Sequence, residues 1–500
     1  MRDYLLLYVN GQRHAIRGES AFTCLTDFLR QERQLTGTKV VCAEGDCGAC
    51  TVLVGRSGAR GLRYETRDAC IQFLYQLDCT HVVTVEGLGT TGGLLHPVQE
   101  AMVEHHGSQC GYCTPGFVMA LAGVFEGREA VDRTCLRTAL TGNLCRCTGY
   151  LPILEAGLSI EPALLVPLAE RYSSAAMIDE LAENTPIPVL IQSPHGSQGV
   201  GAHRRTFFAP RRLEDAVDFK ARNPEAVIVS GGTELGVLQN KKSFEPATLL
   251  SLTQVPGLNE ISCANGTVCI GANATWTEVE KFAKENLPEF YKIVIRFGSP
   301  QIRNVATLVA NVAHGSPIAD ALPFLFVMDA ELEIVSARGP RRAKINGFYK
   351  GYKIKDLAAD EIITRCHVPL PAADELLRLY KVSRRNDLDI ATFGAAVRVR
   401  RVDDVISRAF IAYSGVAAMV VRLPATENFL QGKPFTEQTF HDAGRLARSE
   451  IQPISDVRGT RDFRHLLAEN ILPKFYSDCL GMEHPCMTPT ESVNCPGTKV

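Results

Sequence analysis

Apolar and polar positions along the chain fall into short runs whose period changes from segment to segment. The opening "LLLYVNGQRHAI" places an apolar run and an alternating one on either side of Asn10-Gly11, the dipeptide that favours a two-residue turn, and predicts a β-hairpin. "ACTVLVG", from Ala49, predicts a strand. Phe117, Leu121, Val124 and Phe125 recur at helical spacing behind Thr114-Pro115, where proline's missing donor costs nothing at a helix start, and "LPILEAG" from Leu151 predicts a second helix. "TFFAPRRLEDAVDF" reads as an extended entry into a short helix. Val227 to Val229 predict a short buried strand running into the tight loop Gly231-Gly232-Thr233. From 376 to 478, alternating apolar residues followed by helical stretches predict an antiparallel sheet covered by helices. Residues 169–203 are poor in aromatics and rich in Ser, Pro, Gly and acids, which predicts a linker; 479–500 has no period and predicts a disordered tail.

Five hundred residues at 45% hydrophobic and 22% charged predict three or four soluble globular units. A formal net charge of -2 provides no global basic field, so the balance points to a small-molecule or protein partner and to no nucleic acid or membrane surface. The first residues lack a signal peptide's cleavage site, and the most apolar later run, 409–421, has 13 residues, includes Ser414 and Gly415, and is too short for a span. A cytoplasmic location is expected. The stretch 338–355 holds seven basic residues and no acid; it reads as a solvated face, with a patch for a dinucleotide phosphate or a partner subunit as the alternative.

Seventeen cysteines are many for a reducing compartment, and metal is their natural use. Cys42, Cys47, Cys50 and Cys70 follow the plant-type spacing for a [2Fe-2S] cluster. Three thiolates would come from one loop, where Gly45 and Gly48 supply unusual dihedrals and free amides, and the fourth from across it. Cys110, Cys113, Cys145 and Cys147 form a second set of two pairs, each ahead of a predicted helix. Structural zinc is the alternative, although C-x-C crowds adjacent thiolates on one tetrahedral ion and two irons relieve that crowding. The other nine cysteines lack ligand spacing and read as small hydrophobes. The Gly231-Gly232-Thr233 loop could cradle a pyrophosphate with bare amides, and the chain's lack of a G-x-G-x-x-G at that strand speaks against a Rossmann site.

"CAEGDCGACTV", "VTVEGL", "GSQCGYCTPGFVM" and "LTGNLCRCTGY", in this order, resemble the two iron-sulfur domains of the molybdenum hydroxylases, the xanthine dehydrogenase and aldehyde oxidase group. "RFGSPQIRNVATLVANVAHGSPIADALP" resembles the second flavin segment of that family and of the wider vanillyl-alcohol-oxidase-like flavoproteins. The resemblance implies an α+β multidomain chain with five parts and a tail. These are a ferredoxin-like β-grasp [2Fe-2S] domain (1–87), a helical [2Fe-2S] domain (88–168), the linker, a vanillyl-alcohol-oxidase-like FAD domain (204–375), an α+β C-terminal flavoprotein subdomain (376–478), and the tail.

It also implies site residues. Gln109 would hydrogen-bond the pterin; Val229, Ser230, Gly231, Gly232, Thr233, Glu234 and Leu235 would line the pyrophosphate; Phe297 would stack on the adenine. Thr307 and Asn311 would bond phosphate or ribityl oxygens, Asp320 a ribityl hydroxyl, and Ile363 and Lys381 would give an apolar and a polar flavin contact. Where relatives carry glycines, this chain has Val309-Ala310, and a Cβ there narrows the approach of backbone to phosphate.

Too few residues follow the flavin region to make a molybdopterin domain, so the resemblance implies an electron-transfer subunit. Carrying both clusters and the flavin on one chain is similar to the small subunit of bacterial xanthine dehydrogenase. Electrons would pass from molybdopterin on a large partner subunit, which binds the purine, through the helical-domain cluster, the ferredoxin-like cluster and FAD to NAD, in an (αβ)2 heterotetramer. No residue of this chain would catalyse the hydroxylation. A small subunit of an aldehyde or N-heterocycle dehydrogenase is one alternative; a metal-stabilised scaffold protein without flavin is the other. The loop "SRRNDLDIA" is the expected place for acceptor control.

Overall fold

A computed structural model describes residues 1–58, 61–89, 93–126, 131–193 and 204–482. The chain forms two compact units: Met1–Ser316 with Asp329–Leu370 and Arg385–Asp389, and Pro317–Met328 with Pro371–Arg384 and Ile390–Val500.

The first unit begins with a five-stranded sheet of order β2-β1-β5-β3-β4, made of β1 (Leu5–Val9), β2 (Gln12–Ile16), β3 (Thr51–Gly58), β4 (Gly61–Asp68) and β5 (Thr80–Val83). The predicted hairpin is there, with Asn10 at φ 48 and Gly11 at φ 81, the positive values that a tight turn between twisted strands requires. Strand β1 is apolar at every position because both faces of the sheet are covered. Leu5, Leu7 and Val9 enter one core and Leu6 and Tyr8 another; β3 divides likewise, Val52 and Val54 against Leu53. Short helices α1 (Leu25–Asp27) and α2 (Val85–Leu88) flank the sheet.

The helical domain packs α3 (Pro97–Glu104), α4 (Thr114–Phe125), α5 (Arg133–Ala139) and α6 (Leu151–Ser159). Helix α4 starts at Thr114-Pro115 as predicted and is buried along almost its whole length, with Phe117, Leu121 and Val124 in the core that holds Leu6 and Leu53.

The segment 169–203 departs from the expected linker. It contains most of α7 (Leu168–Arg171), α8 (Ala175–Asn184) and strand β6 (Val189–Gln192); 194–203 lie outside the described residues. Met177 and Leu181, one helical turn apart, bury α8, and its Glu180 accepts from Arg13 Nε at 2.7 Å. Strand β6 pairs with β7 (Thr206–Ala209), and a four-stranded sheet of order β6-β7-β9-β8 follows, with parallel β8 (Val227–Val229) and β9 (Thr248–Ser251) and helices α9 (Leu213–Arg222) and α10 (Thr233–Lys242). This sheet shares a core with the outer face of the first one: Tyr75 and Phe207 lie 5.4 Å apart by ring centroids.

A further layer holds α11 (Trp276–Asn286), α12 (Pro288–Val294), α13 (Pro300–Arg303) and α14 (Leu308–His314). Its sheet, of order β10-β11-β16-β12-β13, comprises β10 (Ile261–Ala264), β11 (Thr267–Gly271), β12 (Glu331–Ser336), β13 (Gly339–Lys344) and β16 (Ile362–Pro369), with β14 (Tyr349–Gly351) and β15 (Ile354–Lys355) as a separate hairpin.

The second unit is the predicted antiparallel sheet with helices: β17 (Glu375–Val382), β18 (Phe393–Val402), β19 (Val405–Ser414) and β20 (Val421–Arg422), with α15 (Leu322–Val327), α16 (Pro424–Leu430), α17 (Glu437–Ser449) and α18 (Arg461–Cys479). Its core joins Phe393, Val397 and Tyr413 of the sheet to Phe440, Leu472 and Phe475 of the helices. Of the expected tail 479–500, Cys479 closes α18 and residues after 482 lie outside the described ones. No single helix among the described residues is long and apolar enough to cross a membrane.

Candidate functional site

Ala43, Gly45 and Gly48 take φ values of 54, 75 and 66, so the loop ahead of β3 curls back on itself and brings its cysteines to one side. Cys42 contacts Cys47 and Cys70 through the thiols, and Cys50 contacts Cys70. Amides point at the sulfurs: Asp46 N donates to Cys42 Sγ and Cys70 N to Cys50 Sγ, both at 3.4 Å. The bond from Cys47 pulls Cys42 toward thiolate and the bond from Cys70 does so for Cys50, while Cys47 and Cys70 are held protonated. Asp68, 2% exposed and 3.8 Å from Cys50 Sγ, is pushed well above the carboxylate range by burial and then by the Cys50 charge.

The second quartet comes from the two segments that lead into α4 and α6. Cys113 contacts Cys145, and Cys110 contacts Cys147. Cys145 Sγ accepts from the Thr148 hydroxyl at 3.2 Å and from the amides of Cys147 and Thr148 at 3.4 Å; burial opposes its ionisation, and these donors outweigh it. Burial, then Cys145, pushes Cys113 up to about 12. Cys110 and Cys147 are exposed, as are Gln109, Tyr112 and Leu151 beside them.

Among the described residues no three His, Cys, Asp or Glu side chains converge on a point for one ion. The first quartet's thiols form a run, Cys47 to Cys42 to Cys70 to Cys50, and the second quartet's meet in two pairs; two thiolates on each of two irons suit both arrangements.

Strand β8 ends at Val229, and α10 starts at Thr233 after Gly232 at φ 68. Gly231 is needed for close approach, since a Cβ there would stand 2.3 Å from the Val305 carbonyl oxygen. Ser230 Oγ donates to Asn273 Oδ1 at 2.8 Å; Val229 and Leu235 are buried, and Glu234 is exposed, 3.8 Å from His314 Nε2. Thr307 accepts from Ala310 N at 3.2 Å and caps α14. Val309 is buried, so the first of the two residues in place of glycines belongs to the core, and the amide of the second serves the cap. Asn311 Oδ1 is buried without a hydrogen-bond partner. A loop with no room for a Cβ and an orphaned buried acceptor fit a dinucleotide with hydroxyl donors. Phe297 packs on Trp276 at 4.4 Å, tilted by 31°, and Ile363 is buried on β16. In the second unit Lys381 Nζ donates to Asp320 Oδ2 at 2.7 Å, and both side chains are nearly buried.

The Gly231 loop and α10 are seated on the segment from Cys70 to Gln76 and on Ala43. Gln76 Nε2 donates to Gly231 O at 3.0 Å, Tyr75 to Gln239 Oε1 at 2.8 Å, and Asn240 Nδ2 to Cys70 O at 2.7 Å and Ala43 O at 3.0 Å. The two quartets are joined in turn by Leu144 N, which donates to Cys47 O at 3.0 Å.

Three families match along the chain: a [2Fe-2S] binding domain over 84–158, an FAD binding domain in molybdopterin dehydrogenase over 202–371, and a CO dehydrogenase flavoprotein C-terminal domain over 378–479. The chain belongs to the molybdenum hydroxylase family. It is 31% identical to xanthine dehydrogenase 1 of Arabidopsis thaliana over 94% of its own length, and 31% identical to aldehyde oxidase 2 of Mus musculus over 96%. It spans 39% of the length of each of these relatives. Among solved structures, quinoline 2-oxidoreductase from Pseudomonas putida 86 matches with a TM-score of 0.51 at 29% identity, over 54% of this chain and 94% of that one. The Hydrogenophaga pseudoflava carbon monoxide dehydrogenase that lacks the Mo-pyranopterin moiety matches with a TM-score of 0.51 at 26% identity, over the same shares.

Within this member of the molybdenum hydroxylases, four residues that bond the segments around the quartets drew no notice in the sequence: Gln76, Asn143, Asn240 and Gln301. Asn143 lies inside "LTGNLCRC", where the cysteines draw the eye, and Gln301 inside "SPQIRN". The basic stretch 338–355 meets its own acids. Arg338 pairs with Asp360, Arg341 with Glu361 at 2.7 Å and Arg342 with Glu331 at 3.4 Å, while Lys355 Nζ donates to Ala313 O at the end of α14. Residues 385–388 of the "SRRNDLDIA" loop line a cleft of about 510 Å³ with Phe117, Arg133, Leu140 and Tyr150 of the helical domain.

Proposed function

We propose that this chain is the iron-sulfur and flavin subunit of a xanthine dehydrogenase. It takes electrons from molybdopterin on a large partner subunit, through the quartet Cys110, Cys113, Cys145 and Cys147, then the quartet Cys42, Cys47, Cys50 and Cys70, to FAD and on to NAD. The observation that supports this order is the seating of the Gly231 loop and α10 on Cys70 and Gln76, which brings the loop proposed for the flavin's phosphates beside the first quartet, while the second quartet keeps an exposed face that a partner could meet. Bound FAD supplies the change from one-electron to hydride chemistry. The chain's residues do the holding. Gln109 stands beside Cys110 to meet the pterin, Asn311 Oδ1 accepts a hydroxyl, the Gly231-Gly232 amides face phosphate, and Asp320 binds the ribityl chain with Lys381 fixing its carboxylate.

Three measurements test this. Purified chain should contain about four irons with acid-labile sulfide and one flavin; two zincs without sulfide would sink the reading. It should pass electrons from NADH to a dye without a partner, whereas purine turnover should need the large subunit. Gln109→Ala should lower purine turnover and leave NADH-to-dye activity near normal. The substrate pocket would lie on the partner, and the similarity to aldehyde oxidase 2 and quinoline 2-oxidoreductase keeps an aldehyde or N-heterocycle as the second reading. A substrate panel with the assembled complex separates them.

A further inference from the structure

A buried amide network joins the two quartets to the flavin half. Gln301, in α13 and 1% exposed, donates from Nε2 to Asn143 Oδ1 at 2.8 Å and to Thr51 Oγ1 at 3.1 Å. Asn143, 2% exposed, donates from Nδ2 to Gly48 O at 2.9 Å and to Thr51 Oγ1 at 3.3 Å. The Thr51 hydroxyl, also buried, donates to Gly48 O at 2.6 Å. The chain of donors has one direction. Gly48 O can only accept, so the Asn143 amide faces it with nitrogen and presents its own oxygen to Gln301, which must then donate. The oxygen left over, Gln301 Oε1, is buried without a partner and lies against Gly142, where a Cβ would stand 2.0 Å from it.

The network's position gives it a consequence. Gly48 lies in the loop between Cys47 and Cys50, and Asn143 immediately precedes Leu144, whose amide holds Cys47 O, and Cys145. We propose that Gln301 is a positioning residue for electron transfer: from the flavin half it fixes Asn143 and Thr51, and through them the separation and orientation of the two cysteine quartets. This rests on the reading of both quartets as [2Fe-2S] sites. Removing the Gln301 donor would leave Asn143 Oδ1 unpaired in a dry interior, and the segment before Cys145 would shift to regain a partner.

Nearby Asn304 provides a control. Its Nδ2 donates to Thr66 O at 2.9 Å and ties the same stretch of the flavin half to β4 rather than to Gly48 or Asn143.

The test uses the full chain with its iron and flavin. Gln301→Met keeps length and removes the donor; Gln301→Glu keeps shape and sets an acceptor against Asn143 Oδ1. The readouts are iron and flavin content, the two midpoint potentials, and the magnetic splitting between the two reduced centres in low-temperature EPR. Both variants are expected to keep iron and flavin while the splitting is lost or altered and at least one midpoint potential shifts. Asn304→Ala is expected to lower the melting temperature and leave the splitting unchanged. An unchanged splitting and unchanged potentials in Gln301→Met would overturn the proposal, as would an equal change in Asn304→Ala. Loss of iron from both Gln301 variants, with Asn304→Ala intact, would assign Gln301 to folding and overturn it too. A wild-type chain without two cluster signals would overturn this proposal and the functional reading together.

Discussion

The two cysteine quartets use the same side chain in opposite surroundings. Cys50 and Cys70 are each 2% exposed, closed in between the helical domain and the flavin half, whereas Cys110 and Cys147 lie exposed on the helical domain's surface. Around the first quartet, distant segments reach the backbone of the cysteines themselves, as with Asn240 on Cys70 and Leu144 on Cys47. Around the second, the donors to Cys145 are local, coming from Cys147 and Thr148. A site held by long-range contacts is coupled to the fold around it; a site held by its own loop can lose its metal and leave the rest standing.

The sharpest way to break this contrast is to remove one ligand from each set. Cys50→Ser and Cys147→Ser should each lose about two of about four irons. Only Cys50→Ser should also release flavin, because the seat of α10 lies on the Cys70 segment. Iron and flavin assays on the same preparations decide it, and equal flavin loss in both variants would refute the contrast.

A smaller effect comes from the glycines. A Cβ on Gly116 would stand 2.2 Å from the Gly48 carbonyl oxygen, backbone that cannot turn away, so Gly116→Ala should cost about 3 kcal/mol. Gly149, beside the open quartet, has nothing within 4 Å but sits at φ 69, so Gly149→Ala should cost only the left-handed penalty of about 1 kcal/mol. Denaturant midpoints rank them, and the reverse order would count against the enclosure of the first site.

The smallest predicted difference is one of acid sensitivity. His81, on β5, accepts from Gly11 N through Nε2 at 2.9 Å and meets the Tyr64 hydroxyl through Nδ1 at 2.6 Å; burial lowers it to about 3. His96 caps α3 and is lowered to about 4, by burial and then by Arg171. For both, the folded value lies below the unfolded one, so the stability they contribute is complete above about pH 6.5 and falls as pH drops. Each should cost about 1 kcal/mol at about pH 5.5. Between about pH 4 and pH 3 only the His81 contribution keeps falling. His81→Gln should flatten the stability profile through that lower window, and His96→Gln should not.

What could be read from sequence was whatever chemistry sits in a short stretch. Both cysteine spacings, the Asn10-Gly11 turn, the start of α4 and the Gly231 loop are local patterns, and the turn, the helix start and the loop lie where they were expected. Helix α8 escaped because its buried face is narrow, Met177 and Leu181 alone, and the composition of the surrounding segment outweighed period. The amide network escaped for a different reason. Its bonds join residues 92, 158 and 250 positions apart, and one glutamine in a flavin segment bears no mark of the asparagine it meets.

The strand Leu5–Val9, apolar on both sides, bears on where this chain could be divided. A sheet with one wet face can be excised and still dissolve. This one would present a greasy wall whichever neighbour were cut away, Leu6, Tyr8 and Leu53 on one side or Leu7, Val9 and Val54 on the other. The domains that this strand borders share their interiors. A break between β6 and β7 would turn an interior into a subunit interface, and the two products would have to be made together to stay in solution.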